Sequence, residues 1–362
     1  MENLVKTATS YSNPQAPVAA QGDDFEGPKI VVIGCGGAGN NSVNRLARIG
    51  ISGAELVALN TDKQHLTLVH DSVKKLLIGQ SVTRGLGAGG YPEVGAKAAE
   101  VSRAALSQAL EDADLVFLTA GMGGGTGTGS APIVADIAKE QGAIVVAMVT
   151  FPFLLERARI QKAEEGIEKL RKVTDTVIII DNNRLVELVP NLPIEQAFSV
   201  ADEVIARAVK GITETITVPS LINLDYADVR AIMSTGGVSV ISVGESKGHR
   251  RVDEVVSDTL KNSLLDVDYR GAKGALIHIS GGPDLTLGEA NEIGERLTEA
   301  IDPSASVIWG SRIIPEYEGK IEVIGIFTGV QSPHIRGSSG MVGMDEQPTA
   351  ANKNDLGIDS IM

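Results

Sequence analysis

Aromatic residues and cysteine are the scarcest building blocks of this 362-residue chain. Phenylalanine, tryptophan and tyrosine together supply 3% of it, although 43% of the residues are hydrophobic. The core must therefore be built from aliphatic side chains. Cys35 has no second cysteine in the chain to pair with. An internal disulfide is thus excluded, as is typical of proteins from a reducing compartment.

Basic residues are also outnumbered by acidic ones. The formal net charge is −14, which argues against a nucleic-acid partner, because a surface that binds nucleic acid normally carries a basic face. No apolar run approaches the roughly 18 residues of a membrane span, and the first residues show no signal-peptide pattern. The sequence predicts a cytoplasmic protein without direct membrane insertion.

Glycine, by contrast, is plentiful and concentrated. Five of the seven residues in Gly123–Gly129 are glycine, and the run lies between the apolar Leu115–Leu118 and the helix-like Ser130–Ala135. Glycine loses more backbone entropy on folding than any other residue, so such a run suits a sharp bend or a close approach to a ligand. Between a strand and a helix, its N–H groups and the positive helix end favour an anion such as phosphate. A flexible linker is the alternative.

Two further glycine loops, Gly34–Gly39 and Gly85–Gly90, also follow apolar runs. The first fits the pattern G-x-G-x-x-G, and Asp62 lies downstream near the end of the second apolar run. An NAD(P)-dependent oxidoreductase is therefore one interpretation. Loops that follow parallel strands gather at one edge of the sheet. Three of them supply more backbone donors than one pyrophosphate usually needs, which favours a nucleoside di- or triphosphate.

Apolar runs alternate with helical patterns through the first half of the chain. Six runs predict buried strands: Lys29–Ile33, Glu55–Asn60, Lys74–Ile78, Asp114–Thr119, Ala143–Thr150 and Thr176–Ile180. Helix-like segments, among them Tyr91–Glu111 and Ala131–Gln141, separate most of these runs. This alternation predicts an α/β fold with a parallel, Rossmann-like sheet.

A long helix is predicted after Pro193, because apolar residues recur there at three- and four-residue steps. It would span about 23 residues, or roughly 35 Å. A smaller α/β region with a mixed sheet is predicted to follow. The predicted boundaries are a disordered arm at 1–28, a first domain at 29–192, the connecting helix at 193–217, a C-terminal domain at 218–331 and a flexible tail at 332–362.

The three glycine loops, together with the segment Asn223-Leu224-Asp225-Tyr226-Ala227-Asp228, resemble the signature motifs of the FtsZ family, the tubulin-related cell-division GTPases. Ala38 and the doubled Asn40-Asn41 resemble archaeal members more than typical bacterial ones. The resemblance implies a GTP-binding domain at 29–192 and an activation domain at 218–331. It also implies GTP or GDP and Mg²⁺ as cofactors.

By position, the resemblance implies a set of residues that contact the phosphates. These are Gly36, Gly37, Asn41, Ala88, Gly89, Gly124, Gly125, Thr126 and Gly127. No protein-borne metal site is predicted, because His65 and His70 lack further histidine or cysteine partners.

The rest of the nucleotide is assigned in the same way. Glu156 and Arg159 would contact the ribose and phosphates, while Asn182 and Asp202 would recognise guanine. Phe198 would pack on the face of the base, although it could instead be a core residue of the long helix.

The arginine assignment has an alternative. The segment that carries Glu156 is one residue shorter than the usual family pattern, so Arg157 could take the place of Arg159. Asp181, just before Asn182, stands where the family commonly has proline.

Asp225 and Asp228 follow the end of the long helix, whereas Phe198 and Asp202 lie near its start. The two pairs would be roughly 30 Å or more apart. The acids either cap the next short helix or act on a nucleotide bound to a neighbouring subunit. The resemblance implies the second role, in which Asp225 and Asp228 polarise the attacking water, Asn223 helps to position it and Mg²⁺ screens the phosphates. A head-to-tail contact of this kind does not close, so it builds filaments.

The resemblance therefore implies a GTPase that assembles into homopolymer filaments of the cell-division ring, on the inner membrane face of the division site. A tubulin-like protein that controls cell shape is one alternative, and an NAD(P)-dependent oxidoreductase is another. The tail segment 356–362 is predicted to bind a membrane-tethering partner.

Overall fold

The computed structural model describes residues 27–218, 222, 224–234, 238–261, 269–299 and 301–330. Most of the predicted arm at 1–28, the predicted tail at 332–362 and Asn223 lie outside the described residues.

Six parallel strands form the amino-terminal half of the sheet, as the apolar runs predict. They are β1 (Ile30–Cys35), β2 (Ala54–Asn60), β3 (Lys74–Leu77), β4 (Leu115–Gly121), β5 (Ile144–Phe151) and β6 (Thr176–Asp181). Their order is β3-β2-β1-β4-β5-β6. In doubly wound folds with this order, ligands bind beside the carboxyl ends of β1 and β4, where the strand order reverses.

Helices cover both faces of these strands, so alternate residues of a strand enter different cores. In β1, Val31 and Ile33 belong to one buried apolar cluster, and Ile30 and Val32 belong to the other. The helices are α1 (Gly36–Ile49), α2 (Lys63–Thr67), α3 (Gln80–Thr83), α4 (Pro92–Glu100), α5 (Arg103–Ala109), α6 (Thr126–Glu140), α7 (Arg157–Arg171) and α8 (Asn182–Leu188). Burial on both faces explains why the strands are continuous apolar runs.

The single helix predicted over Tyr91–Glu111 is in fact two helices. The chain turns at Val101 and Ser102, between α4 and α5. There the Gly79 N–H donates to Ser102 Oγ over 2.9 Å. This is a tertiary contact with no local sequence signal, which is why periodicity alone missed the interruption.

The predicted long helix is α9 (Ile194–Thr217), with 24 residues. Its buried face includes Ala201, Ile205 and Ile212, which share one apolar cluster with Val43 of α1 and with Ile324, farther along the chain. The helix therefore packs against both halves of the molecule.

The carboxyl-terminal half carries α10 (Tyr226–Met233), β7 (Val238–Lys247), α11 (Arg251–Lys261), β8 (Gly274–Gly281), α12 (Leu287–Thr298), β9 (Ser306–Ile313) and β10 (Lys320–Thr328). Strand β10 pairs antiparallel with both β7 and β8, and β8 pairs parallel with β9. The predicted mixed sheet is thus confirmed.

The two halves share a sheet. Strand β7 joins β6 in parallel through the pairs Val177↔Val238 and Ile178↔Ser239, so the ten described strands form one continuous sheet. Among the described residues, no helix is long and apolar enough to cross a membrane.

Candidate nucleotide-binding and catalytic site

The three glycine loops meet at the carboxyl edge of the sheet. A Cβ atom added to Gly36, at the end of the loop after β1, would lie 2.8 Å from the amide nitrogen of Gly127 in the first turn of α6, which follows β4. A Cβ atom added to Gly125 would lie 2.8 Å from the Cβ of Ala88, which belongs to the glycine loop Gly85–Gly90, called the third loop below. The loops therefore form one backbone-lined cradle, as the parallel topology requires.

The glycines of the run after β4 serve two different purposes. Gly124 faces open space, since an added Cβ would meet no atom within 4 Å. Gly129 instead lets α6 pack against α4, because an added Cβ would lie 1.9 Å from the Pro92 carbonyl oxygen. Helix α6 begins at Thr126 and not at Ala131 as predicted. Within the run, Gly124 therefore borders the cradle, and Gly129 allows two helices to pack closely.

The third loop has a backbone that favours glycine. Gly85, Gly87, Gly89 and Gly90 all have φ between 61° and 87°, a region that other residues rarely adopt. Lys162 of α7 donates to the Gly90 carbonyl oxygen over 2.7 Å. This contact ties the third loop to the helix beside the cradle.

Asp62, the acidic residue of the dinucleotide interpretation, has a local structural role. Its carboxylate caps α2 by accepting from the backbone N–H groups of Gln64 and His65. The preceding residue, Thr61, makes a 2.6 Å hydroxyl–hydroxyl hydrogen bond with Thr126. The end of β2 is thereby attached to the start of α6.

One wall of the site has polar groups suited to a base. Asn182 begins α8, is buried, and has a side-chain oxygen without a hydrogen-bond partner. A buried acceptor without a partner is a candidate for pairing with a ligand donor or an ordered water. Asp181, in the position where proline is common, caps α8 by accepting from the Asn183 N–H over 2.8 Å.

Phe198 and Asp202 lie one turn apart near the start of α9. Phe198 is 40% exposed, so it is not a core residue, and its ring packs edge-on against Phe153 with centroids 5.6 Å apart. Asp202 accepts a 2.6 Å hydrogen bond from Ser42 of α1. Burial raises the pKa of Asp202 to about 6, while the Ser42 hydrogen bond and the charge of Arg45 oppose that rise.

Glu156 and Arg159 form an ion pair, with Arg159 Nη1 2.6 Å from Glu156 Oε2. A Cβ atom added to Gly123 would lie 2.8 Å from the Arg159 Cβ. The start of the Arg159 side chain therefore lies against the loop after β4. Both Arg159 and Arg157 are exposed, Arg157 as the first residue of α7.

The acidic pair lies at the opposite edge. The Tyr226 hydroxyl donates over 2.8 Å to the carbonyl oxygen of Asp114, which immediately precedes β4 at the amino end of the strands. Asp225 caps α10 by accepting from the Ala227 N–H, and both Asp225 and Asp228 are exposed. Capping thus accounts for Asp225 but leaves Asp228 unexplained.

Comparison with known proteins identifies the family. Residues 29–190 match the model of the Tubulin/FtsZ family, GTPase domain, and residues 237–331 match that of the FtsZ family, C-terminal domain. The chain is 63% identical to cell division protein FtsZ 2 of Methanocaldococcus jannaschii, over 95% of this chain and 89% of that protein. The chain belongs to the FtsZ family of cell-division GTPases.

Further relatives agree with the assignment. Cell division protein FtsZ 2 of Haloferax volcanii is 58% identical over 94% of this chain and 86% of its own length. The solved FtsZ dimer of M. jannaschii is 43% identical with a TM-score of 0.81, covering 96% of this chain and 98% of that one. CetZ2 of H. volcanii, a GTPγS-bound protofilament, is 24% identical with a TM-score of 0.73 over 85% and 95% of the two chains, which is a likeness of fold alone.

Membership in the FtsZ family makes the chain a GTPase whose nucleotide carries guanine, so the oxidoreductase interpretation is wrong. The relatives with high identity over most of this chain are named as cell division proteins, which favours a division protein over a shape-controlling one.

For an FtsZ-family chain, sequence reasoning missed two supporting residues. Ser42 holds Asp202, and Phe153 packs against Phe198. Phe153 follows β5 at the carboxyl edge, and Ser42 lies in the helix that the first glycine loop opens. In the sequence, the position of each residue beside a recognised motif was the only feature that pointed to such a role.

Proposed function

We propose that this chain hydrolyses GTP in a site shared by two subunits of a head-to-tail filament, within the cell-division ring. The observation that supports this most is the separation of the two halves of the chemistry. The glycine cradle lies at the carboxyl edge of the sheet, and the exposed acids Asp225 and Asp228 lie at the amino edge. A single subunit cannot bring them together.

Within one subunit, the cradle binds the phosphates through backbone N–H groups. The residues proposed for this are Gly36, Gly37, Asn41, Ala88, Gly89, Gly124, Gly125, Thr126 and Gly127. Gly124 supports the assignment best, since it borders open space. Backbone donors and the start of α6 favour the negative charge of phosphate.

The guanine is held between Phe198 and the polar pair Asn182 and Asp202. One oxygen of Asp202 is occupied by Ser42, which leaves the other to accept from guanine N–H groups. The free side-chain oxygen of Asn182 offers a second acceptor. Glu156 and Arg159 contact the ribose and phosphates.

Hydrolysis needs the next subunit. Its Asp225 and Asp228 orient the attacking water, and Asn223, which lies outside the described residues, positions it. Mg²⁺ would screen the phosphate charge. In nucleotide sites Mg²⁺ is generally bound through one or two carboxylates, substrate phosphates and water.

Exposed apolar side chains around the cradle support assembly. Leu86 and Leu155 are each 83% exposed, and Leu154 is 67% exposed, in loops at the carboxyl edge. Exposed apolar groups concentrated at one edge are typical of an interaction surface. The relatives solved as a dimer and as a protofilament also self-associate.

The filament is proposed to act in the cytoplasm, at the division site on the inner membrane face. The tail at 332–362, outside the described residues, is proposed to bind a membrane-tethering protein. Deletion of 350–362 should displace the ring in cells, and unchanged ring placement would refute the tail proposal.

The shared site is tested by GTP turnover measured against protein concentration. We expect a concentration threshold, below which turnover per subunit nearly vanishes. Asp228→Ala mixed with wild type should suppress turnover by more than dilution, because each variant subunit spoils a neighbour's site. The control is Glu164→Ala, which changes an exposed acid in the middle of α7. Its mixtures with wild type should show the same turnover as wild type alone. Turnover strictly proportional to concentration would refute the shared site.

A further inference from the structure

His65 lies against the phosphate cradle although no glycine motif contains it. A Cβ atom added to Gly37 would lie 3.6 Å from His65 Nε2. Gly37 itself is exposed at the mouth of the first loop. The Nε2 edge of the imidazole therefore borders Gly37, one of the residues proposed to bind the phosphates.

The other ring nitrogen faces inward. His65 Nδ1 is buried and has no hydrogen-bond partner. A buried N–H without a partner is costly, so the N–H is assigned to Nε2 and the acceptor lone pair to Nδ1. That tautomer presents a donor to the cradle.

Asn40 lies behind the same part of the loop. It is fully buried, and neither its side-chain nitrogen nor its side-chain oxygen has a partner. On α1 it lies one turn after Gly37 and one turn before Asn44, so the three share a helix face. Gly37 abuts the His65 ring, and Asn44 Oδ1 accepts from the His70 N–H over 2.9 Å. Gly37 and Asn44 therefore place one side of α1 against the segment beginning at His65, and Asn40 lies next to that side on the helix.

We propose that His65 is a further phosphate-binding residue of the GTP site, donating from Nε2 to a phosphate oxygen over Gly37, and that Asn40 positions it. Because neither atom has a partner in the structure, one buried water would link them: Asn40 Nδ2 would donate to the water, and the water would donate to His65 Nδ1 and so fix the tautomer. This inference rests on the proposed phosphate cradle. It adds a side-chain donor to loops that otherwise offer mainly backbone N–H groups.

The test is nucleotide affinity, measured by competition with a fluorescent GDP below the assembly threshold. His65→Ala and His65→Phe should weaken GTP and GDP by about tenfold or more, because hydrogen bonds to charged groups are the stronger class. Guanosine, which lacks phosphates, should bind all variants alike. His65→Gln should stay within about threefold of wild type, since its amide can donate from a similar place.

His70→Ala is the matched control, because its ring bonds only to Ser72 in the structure, and it should bind GDP like wild type. Asn40→Ala should weaken GDP binding in wild type but add little to His65→Ala. Additive effects of the two substitutions would overturn the role of Asn40.

Unchanged GDP affinity in both His65→Ala and His65→Phe would overturn the proposal, as would an equal loss for guanosine. Either result in a protein that binds GTP leaves the proposed function standing. A wild-type protein that fails to bind GTP would overturn both.

Discussion

Ser42 donates a 2.6 Å hydrogen bond to Asp202, and this bond joins the helix opened by the first glycine loop to the long helix α9. The phosphate end and the guanine end of the site are thereby linked through two side chains. Burial raises the pKa of the Asp202 carboxyl to about 6, against the opposing influence of Ser42 and Arg45. The proposed guanine acceptor thus titrates just below neutral pH.

GTP affinity should fall as the pH falls through about 6, because a protonated Asp202 is a poorer acceptor for guanine N–H groups. Ser42→Ala should move the midpoint to higher pH, since the hydroxyl that stabilises the carboxylate is gone. Titrations from pH 5 to 8 measure this. An unchanged midpoint in Ser42→Ala would contradict the argument.

The ionised Asp202 should also lower the free energy of unfolding of the nucleotide-free protein near neutral pH. Its folded pKa of about 6 exceeds the ordinary value of 3.8, so its contribution to stability is present below about pH 4 and is lost as the pH rises through 6. A shift of about two units corresponds to at most ~3 kcal/mol. Asp202→Asn should therefore stabilise the nucleotide-free protein by about 1–3 kcal/mol at pH 7.5 while weakening GTP binding.

Urea unfolding at pH 7.5 and pH 4 checks this, and the gain should vanish at the lower pH. Asp302→Asn is the control, because hydrogen bonds from Ser304 lower the pKa of Asp302. It should give no stabilisation at pH 7.5. A stabilisation equal to that of Asp202→Asn would show that the effect is not specific to burial.

Gly124 and Gly129 should respond differently to the same added methyl group. Gly124→Ala meets open space, whereas Gly129→Ala would place Cβ 1.9 Å from the Pro92 carbonyl oxygen. We expect Gly124→Ala to keep its free energy of unfolding and to lose GTP affinity. Gly129→Ala should lose about 3 kcal/mol of stability.

Thermal unfolding and GDP titration distinguish these outcomes. Gly294→Ala, at a helical glycine with no atom within 4 Å of an added Cβ, is the control and should be neutral or slightly stabilising. Normal GTP affinity in Gly124→Ala would contradict its place in the phosphate cradle.

Burial of His278 should make the stability of the fold depend on pH in the acid range. Its ring lies between Thr215 and Ser280 at 2.8 and 2.9 Å. Burial, with a contribution from Arg312, lowers its pKa from 6.5 to about 4. Protonation therefore favours the unfolded chain, so stability is full above pH 6.5 and falls as the pH drops towards 4. The loss is at most ~3 kcal/mol.

His278→Gln should flatten the dependence of the unfolding free energy on pH in this window, even if it lowers stability at pH 7. His249→Gln, at an exposed histidine, should keep the wild-type slope. An unchanged slope in His278→Gln would assign the acid sensitivity to other groups.

The repeated strand and loop pattern was readable in the sequence because it depends on local chemistry. Continuous apolar runs predict strands buried on both faces, and glycine clusters after them predict a cradle at one edge. The predicted long helix needed only its periodicity. The interruption between α4 and α5 was missed, because it depends on the contact of Ser102 with Gly79.

By itself, the sequence predicted the alternation of strands and helices along the chain, the three glycine loops and the resemblance to one family. Gly124 and Gly129 look alike in the sequence. Only the tertiary structure showed that Gly124 borders open space and that Gly129 lets α4 pack closely against α6. It also decided that Arg159 lies beside Gly123 and that Ser42 holds Asp202. Such pairs are distant in sequence, and their distances are set by how the helices pack on the sheet.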